Sequence, residues 1–273
     1  MNTHLLHLNL FWAFLRRDYL TQLSYRAAFL LSFVGIVFRA ITFFFIARFV
    51  GDIADPTLAS YGVDYFSFVI IGLAFNLYFG LGLNAFAGAL REAQTTGTLE
   101  AMMMTPTPVP VLIVGSAVWS YAFTTFRVFI YLALGLLLGV DLSRANWPLA
   151  LFGLVISVIA FASIGIIAAS IIMIIKRGDP VTAIIANISA LVGGVYYPIE
   201  VLPDWLQTVS YLVPITYALR IMRYSLLAGA TAVELAPDLL ILSGFCVVLF
   251  PLSLLLFRRA VDIARRDGSL AQY

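Results

Sequence analysis

The charged residues of this chain are gathered into a few short clusters, and the runs between them are long, apolar and uncharged. Residues 65–90 lie without a charge between Asp64 and Arg91, residues 145–175 between Arg144 and Lys176, and residues 180–199 between Asp179 and Glu200. Residues 101–126 follow Glu100, and that run continues to Val140 with Arg127 alone inside it. Residues 239–261 contain only the pair Arg258-Arg259, and a first run at 27–49 is interrupted by Arg39 and Arg48. Since about 20 mainly apolar residues carry a helix across a bilayer, six spans are expected. Composition excludes a soluble chain: 62 % of the 273 residues are hydrophobic and 11 % charged, against roughly 45–50 % and about 25 % in ordinary globular chains. So few polar side chains do not cover a core of that size. The expected fold class is an all-α polytopic membrane protein, with residues 1–273 forming a single transmembrane domain.

The same inventory removes several chemistries. Lys176 is the only lysine and stands in Ile-Ile-Lys-Arg-Gly-Asp, so no phosphate-binding loop ending in Gly-Lys-Ser/Thr exists. A single cysteine, Cys246, excludes intramolecular disulfides and thiolate metal clusters. His4 and His7 do not by themselves make a metal site. No catalytic residue, metal ligand or bound cofactor is therefore assigned to the chain. The net charge of +2 gives no reason to expect nucleic acid.

Orientation follows from the cations, which favour cytoplasmic loops. With the N-terminus inside, the cytoplasmic side holds ten of them, namely Arg16, Arg17, Arg26, Arg91, Lys176, Arg177, Arg258, Arg259, Arg265 and Arg266. The outside holds four, Arg48, Arg144, Arg220 and Arg223. Both termini are thus expected in the cytoplasm of a multi-pass protein of the plasma (inner) membrane, and no cleavable signal peptide is visible. Residues 4–23 read as an amphipathic helix, with Leu8, Phe11, Trp12, Leu15 and Tyr19 at helical spacing and Arg16, Arg17 and Asp18 close by. Residues 1–26 are expected to lie in the inner interface; the alternative is an extension of the first span.

Two regions depart from plain spans. The cytoplasmic connection at 91–106 carries Arg91, Glu92 and Gly97-Thr98-Leu99-Glu100, then three methionines and Thr105-Pro106. Glycine weakens a helix interior, so Gly97 is expected to end the helix leaving span two, and a short helix starts at Thr98 with Glu100 near its positive end. Pro106, Pro108 and Pro110 then impose an extended entry into span three. The result is a cytoplasmic knuckle with a carboxylate and an adaptable methionine surface. The outer segment 193–236 opens with Gly193-Gly194 and Pro198, which cut the fifth span short. Leu202, Trp205, Leu206, Val209, Leu212 and Val213 then repeat at three and four, Pro203 suits a first helical turn, and Pro214 starts another helix. Two short re-entrant or interfacial helices are expected, because irregular backbone at membrane depth survives only where protein or water reaches it.

Arg39 and Arg127 lie inside spans, where a charge costs on the order of 2.5–3.5 kcal/mol on insertion scales. Either they face the protein interior along a polar path, or they snorkel outward toward Asp52, Asp64 or Asp141. Asn187, in the fifth span, either joins such a path or makes an interhelical hydrogen bond.

At the two irregular regions the chain resembles the membrane subunits of type-2 ATP-binding-cassette exporters, in the branch of drug and lipid exporters. Glu92 with Gly97-Thr98-Leu99-Glu100 and Thr105-Pro106 is similar to the family's coupling segment. Tyr197-Pro198, Leu202-Pro203-Asp204-Trp205, Pro214-Ile215-Thr216-Tyr217 and Arg220 are similar to its outer segment between spans five and six. The resemblance implies a permease that pairs with a second copy, forms the translocation path and docks two separate cytoplasmic ATPase subunits through Arg91, Glu92, Gly97, Thr98, Leu99, Glu100, Thr105 and Pro106. Tyr197, Pro198, Leu202, Pro203, Trp205 and Pro214 would form an outer gate. ATP and Mg would be used by the partner, and the cargo would be a hydrophobic or amphipathic drug, lipid or glycolipid. The alternatives are a membrane-embedded lipid-modifying enzyme, which needs a general base or metal carboxylates at the depth of the arginines, and an ion-coupled secondary transporter, which needs carboxylates within the spans.

Overall fold

A backbone in lipid has no water to bond, so long apolar segments satisfy their N–H and C=O groups internally. The computed structural model, which describes residues 12, 15–17, 19–20, 26–54, 58, 62–95, 109–175 and 179–266, is helical in every regular element among them. The helices are α1 (Arg26–Ala54), α2 (Tyr65–Thr95), α3 (Val109–Leu137), α4 (Trp147–Ile175), α5 (Asp179–Val192), α6 (Asp204–Ser210), α7 (Pro214–Arg223) and α8 (Ala236–Arg266). Five of them contain stretches long and apolar enough to cross a membrane, at Phe29–Val50, Tyr65–Gly88, Ala117–Leu137, Trp147–Met173 and Ala236–Ile263. The stretch expected as a fifth span is α5, whose 14 residues reach only about 21 Å at 1.5 Å per residue, short of the roughly 30 Å hydrocarbon layer. We call lower the face where α2 ends and α3 begins, and upper the opposite face.

The upper helix ends are set by local chemistry. Asp64 caps α2, its carboxylate accepting from the Ser67 backbone N–H at 3.2 Å and the Ser67 hydroxyl at 2.5 Å. α3 stops at Gly139, whose φ of +107° takes the chain out of the helix. Val140 N then donates to Gly135 O at 2.9 Å and Gly139 N to Leu136 O at 3.3 Å, so orphan carbonyls of the last turn are bonded. Gly135 and Gly139, which have helix-pair spacing, both serve this helix end, and Gly135 also faces Ile70 of α2. Asn146 caps α4 by accepting from Leu149 N at 3.3 Å.

α2 is the central helix, with Phe68, Val69, Ile70, Ile71, Ala74, Phe79 and Leu83 buried among α3, α4 and α7. Its crossing with α4 is made by two glycines. A Cβ at Gly165 would stand 1.8 Å from the Gly82 carbonyl oxygen, and one at Gly82 would stand 2.5 Å from the Phe161 Cβ. Close backbone approach of this kind substitutes for the hydrophobic force that lipid removes. A hydrogen bond from the Tyr78 hydroxyl to Thr125 Oγ1, 2.8 Å, ties α2 to α3 at the same time. α8 lies mainly against α4, and α1 is peripheral, exposing Leu31, Phe38 and Phe49.

The N-terminal interfacial helix falls mostly outside the described residues. Those that are described at 15–17 and 19–20 are helical, and Tyr19 meets Trp119 of α3 edge-on with ring centroids 5.5 Å apart.

Candidate functional site

The upper cap, residues 193–236, is a folded unit whose parts are held by side chains bonded to backbone. α5 ends where Gly194 adopts a φ of +78°, and a Cβ on Gly193 would stand 2.4 Å from Ile215 Cγ2. The chain therefore folds straight back against α7. A helix end leaves carbonyls without partners, and here Ser210 supplies one, its buried hydroxyl donating to Val192 O at 2.7 Å. Tyr197 donates to Leu191 O at 2.8 Å, Thr216 to Ser210 O at 2.7 Å, and Tyr217 to Tyr211 O at 2.9 Å. Pro214 occupies the first turn of α7 as expected, whereas Pro203 precedes α6 as its cap with extended backbone.

Arg223 locks this cap to the bundle. The sequence pattern places it with Arg220 among the outward cations, but the structure buries it to 3 % exposure. Its Nε donates to Phe68 O at 3.1 Å, Nη1 to Gly194 O at 2.8 Å and Nη2 to Val195 O at 2.9 Å. The guanidinium also lies over the Phe68 ring, 3.4 Å from its centroid. A planar fork of five donors reaches three carbonyls from two elements at once, which an ammonium does not. Room for it comes from Gly72, where a Cβ would fall 2.2 Å from Val195 O and 2.5 Å from Arg223 Nη2. Arg220 instead reaches Asp238 at the start of α8, N to O 3.4 Å.

The residues expected as an outer gate are brought together here. Pro198 and Pro214 are buried, Tyr197 and Leu202 half-buried, and Pro203 exposed. Trp205 is 69 % exposed, so the apolar stripe of α6 is split: Leu206 and Val213 turn inward, while Trp205, Val209 and Leu212 face outward. Just before α8, the Thr231 backbone N–H and hydroxyl donate to Glu234 at 2.6 and 3.0 Å. Both bonds close the turn that leads into α8, and they hold the Glu234 carboxyl below its ordinary value.

The second constellation lies at mid-span. Arg39 is central in Phe29–Val50 and Arg127 central in Ala117–Leu137. Tyr131, one turn above Arg127, is buried, whereas Arg39 is exposed on α1. Tyr196, from the bend after α5, stacks on Phe43 at 5.8 Å, one turn above Arg39. Arg127 runs down its own helix over the Phe123 ring, 4.4 Å to the centroid, so it turns away from Asp141 instead of snorkelling toward it. Its Nε is buried with no hydrogen-bond partner. Asn187 is exposed on α5, and among the described residues no hydrogen bond joins it to another helix.

Of the coupling segment, Arg91 and Glu92 sit on the last turns of α2, which runs to Thr95. Their side chains, and Gly97, Thr98, Leu99, Glu100, Thr105 and Pro106, lie outside the described residues.

Comparison with known proteins agrees with this layout. The chain is 24 % identical over 193 residues to the inner membrane transport permease YadH of Escherichia coli K12, an alignment covering 70 % of this chain and 73 % of that protein. The YadH proteins of Escherichia coli O157:H7 and Shigella flexneri match to the same extent. Residues 9–227 match the profile of the ABC-2 type transporter family. That match spans the first helix, the central bundle and the upper cap through Arg223, and the chain accordingly belongs to the ABC-2 type transporters as a membrane permease subunit.

Proposed function

We propose that the chain is the permease half of an exporter and works as a homodimer with two cytoplasmic ATPase subunits. The observation that carries the reading is the family match over residues 9–227 on a chain that has no phosphate-binding loop of its own. Both termini lie in the cytoplasm, so the lower face is cytoplasmic. α5 and the bend through Pro198 together make a sixth crossing, which leaves the cap at the outer surface. The ATPase subunits, which bind ATP and Mg, dock on the knuckle formed by Arg91, Glu92 and Gly97–Glu100, with Thr105 and Pro106 setting the entry into α3. Their closure moves the ends of α2 and α3. Because Arg223 ties the start of α2 to the cap, that movement is transmitted to the gate around Tyr197, Pro198, Leu202, Pro203, Trp205 and Pro214. Coupling of this type is a free energy shared between two sites. The cargo is a hydrophobic or amphipathic drug, lipid or glycolipid that passes the mid-span arginines.

Purification of the tagged chain from membranes in mild detergent tests the reading. An ATPase is expected to co-purify at two-plus-two stoichiometry and to be lost with Glu100→Ala while the permease stays monodisperse. A chain that purifies without a nucleotide-hydrolysing partner overturns it.

A further inference from the structure

We propose that the Arg220–Asp238 ion pair is a latch that holds the cap closed on α8, and that α7 swings about its Arg223 end when the latch opens. The proposal rests on the gate reading above and names the contact that controls that gate. The two ends of α7 are held very differently. At one end the Arg223 guanidinium donates to three carbonyls at 3.1, 2.8 and 2.9 Å, and the chain continues into a π turn at Tyr224–Ala228. Asn146, at the start of α4, bonds this turn and its exit, the backbone N–H to Ser225 O at 2.8 Å and Nδ2 to Ala230 O at 3.0 Å. Gly229 follows with a φ of +66°, so close to the loop before α4 that a Cβ would stand 2.4 Å from Arg144 O. This end of α7 does not move without breaking those bonds.

The Pro214 end has room instead. Phe75 and Tyr78 of α2 and Leu154 and Ser157 of α4 line a small void against Ile215 and Ala218. Thr216 bonds to Ser210 O and Ser210 to Val192 O, so the start of α7, α6 and the end of α5 move as one piece. α7 meets α8 at Tyr217, whose ring centroid is 6.2 Å from that of Phe245, and at Arg220. The Arg220 contact is the kind that opens. Its N to O distance of 3.4 Å to Asp238 is longer than the roughly 2.7–2.9 Å of a charge-assisted hydrogen bond. The Arg220 side chain is 32 % exposed, against 9 % for Asp238, so water takes over the cation when it leaves, and its Nε has no partner even with the cap closed. A firm anchor at one end of a helix, a loose ion pair along it and a void under the other end are the parts of a hinged lid.

Thiol accessibility in the purified full chain tests the latch. On a Cys246→Ser background, Ala218→Cys puts a thiol at the void, where Ala218 is buried, and its reaction with N-ethylmaleimide in neutral detergent is followed by mass spectrometry. Asp238→Asn and Arg220→Gln are each expected to speed the reaction about five-fold or more, because each leaves the partner charge uncompensated in the closed cap. The double variant is expected to react no faster than either single one, since both remove the same contact. Asp238→Glu keeps the carboxylate but not the shape, and is expected to react within about two-fold of the parent; a role in packing alone predicts the reverse order for asparagine and glutamate. Ala169→Cys, buried in the lower bundle, is the reference thiol and is expected to keep the parent rate in every variant. A parent-like rate in Asp238→Asn, a glutamate variant as fast as the asparagine variant, or a reference thiol that speeds up in parallel overturns the latch. Failure of the ATPase to co-purify sinks the exporter reading without touching this measurement, and an Ala218→Cys thiol that stays slow in Asp238→Asn with the ATPase still attached sinks only the latch.

Discussion

Arg223 shows how one side chain can hold together elements that sequence reading keeps apart. Its three carbonyl partners lie 155, 29 and 28 residues away in sequence, so no local pattern points to them. Replacing it by leucine leaves those acceptors without their donor in a water-poor site, and the expected loss is about 3 kcal/mol or more. Arg223→Lys retains the charge but not the fork and is expected to recover only part of that loss. Thermal unfolding in detergent measures both, and a lysine variant as stable as the parent contradicts the bridging role. The glycines separate in the same way. Gly165→Ala places a methyl against the Gly82 carbonyl and is expected to cost about 1–3 kcal/mol by forcing α2 and α4 apart. Gly244→Ala, where a Cβ meets nothing within 4 Å, is expected to be neutral or to stabilise by up to about 1 kcal/mol. The same unfolding assay separates them.

Among the elements, some starts and stops were legible and the faces were not. Pro214 stands where a helix begins and Gly193-Gly194 where one ends, as the sequence reading expects, whereas the caps at Asp64 and Asn146 and the stop at Gly139 emerge only from the structure. The stripe around α6 read as one apolar face, yet Leu206 and Val213 turn inward while Trp205 and Leu212 point outward. The entry to α8 gives a pH prediction. The Glu234 carboxyl is held below its ordinary value near 4.5 by the Thr231 donors. A depressed carboxyl stabilises the fold above its unfolded pKa, and that contribution is lost as pH falls through the folded one. The melting-temperature gap between the parent and Glu234→Gln is therefore expected at neutral pH and should close as the pH falls below the ordinary carboxylate range. A gap that widens on acidification contradicts a role for the Thr231–Glu234 bonds.

For the whole molecule, orientation is the open quantity, and it is measurable. On a Cys246→Ser background, Val201→Cys in the cap is expected to react with a membrane-impermeant maleimide in intact cells. Glu92→Cys, at the lower end of α2, is expected to react only after permeabilisation. The reverse pattern places the knuckle outside and removes ATPase docking from it. The arginine count argues for the first outcome.

By itself the sequence determined the class, the positions of five spans, the irregular segment after α5 and the family resemblance, because segregated charge and Gly/Pro placement act on the chain locally. The mid-span arginines were visible as costly charges, but only tertiary structure laid Arg127 over Phe123 and left Arg39 exposed on α1. It also decided that the described part of α5 is shorter than the hydrocarbon layer, that Gly82 and Gly165 form the helix contact, and that Arg223 goes inward. These features depend on groups far apart in sequence meeting at atomic distance, and in lipid that meeting is governed by close packing and buried hydrogen bonds, not by apolar periodicity.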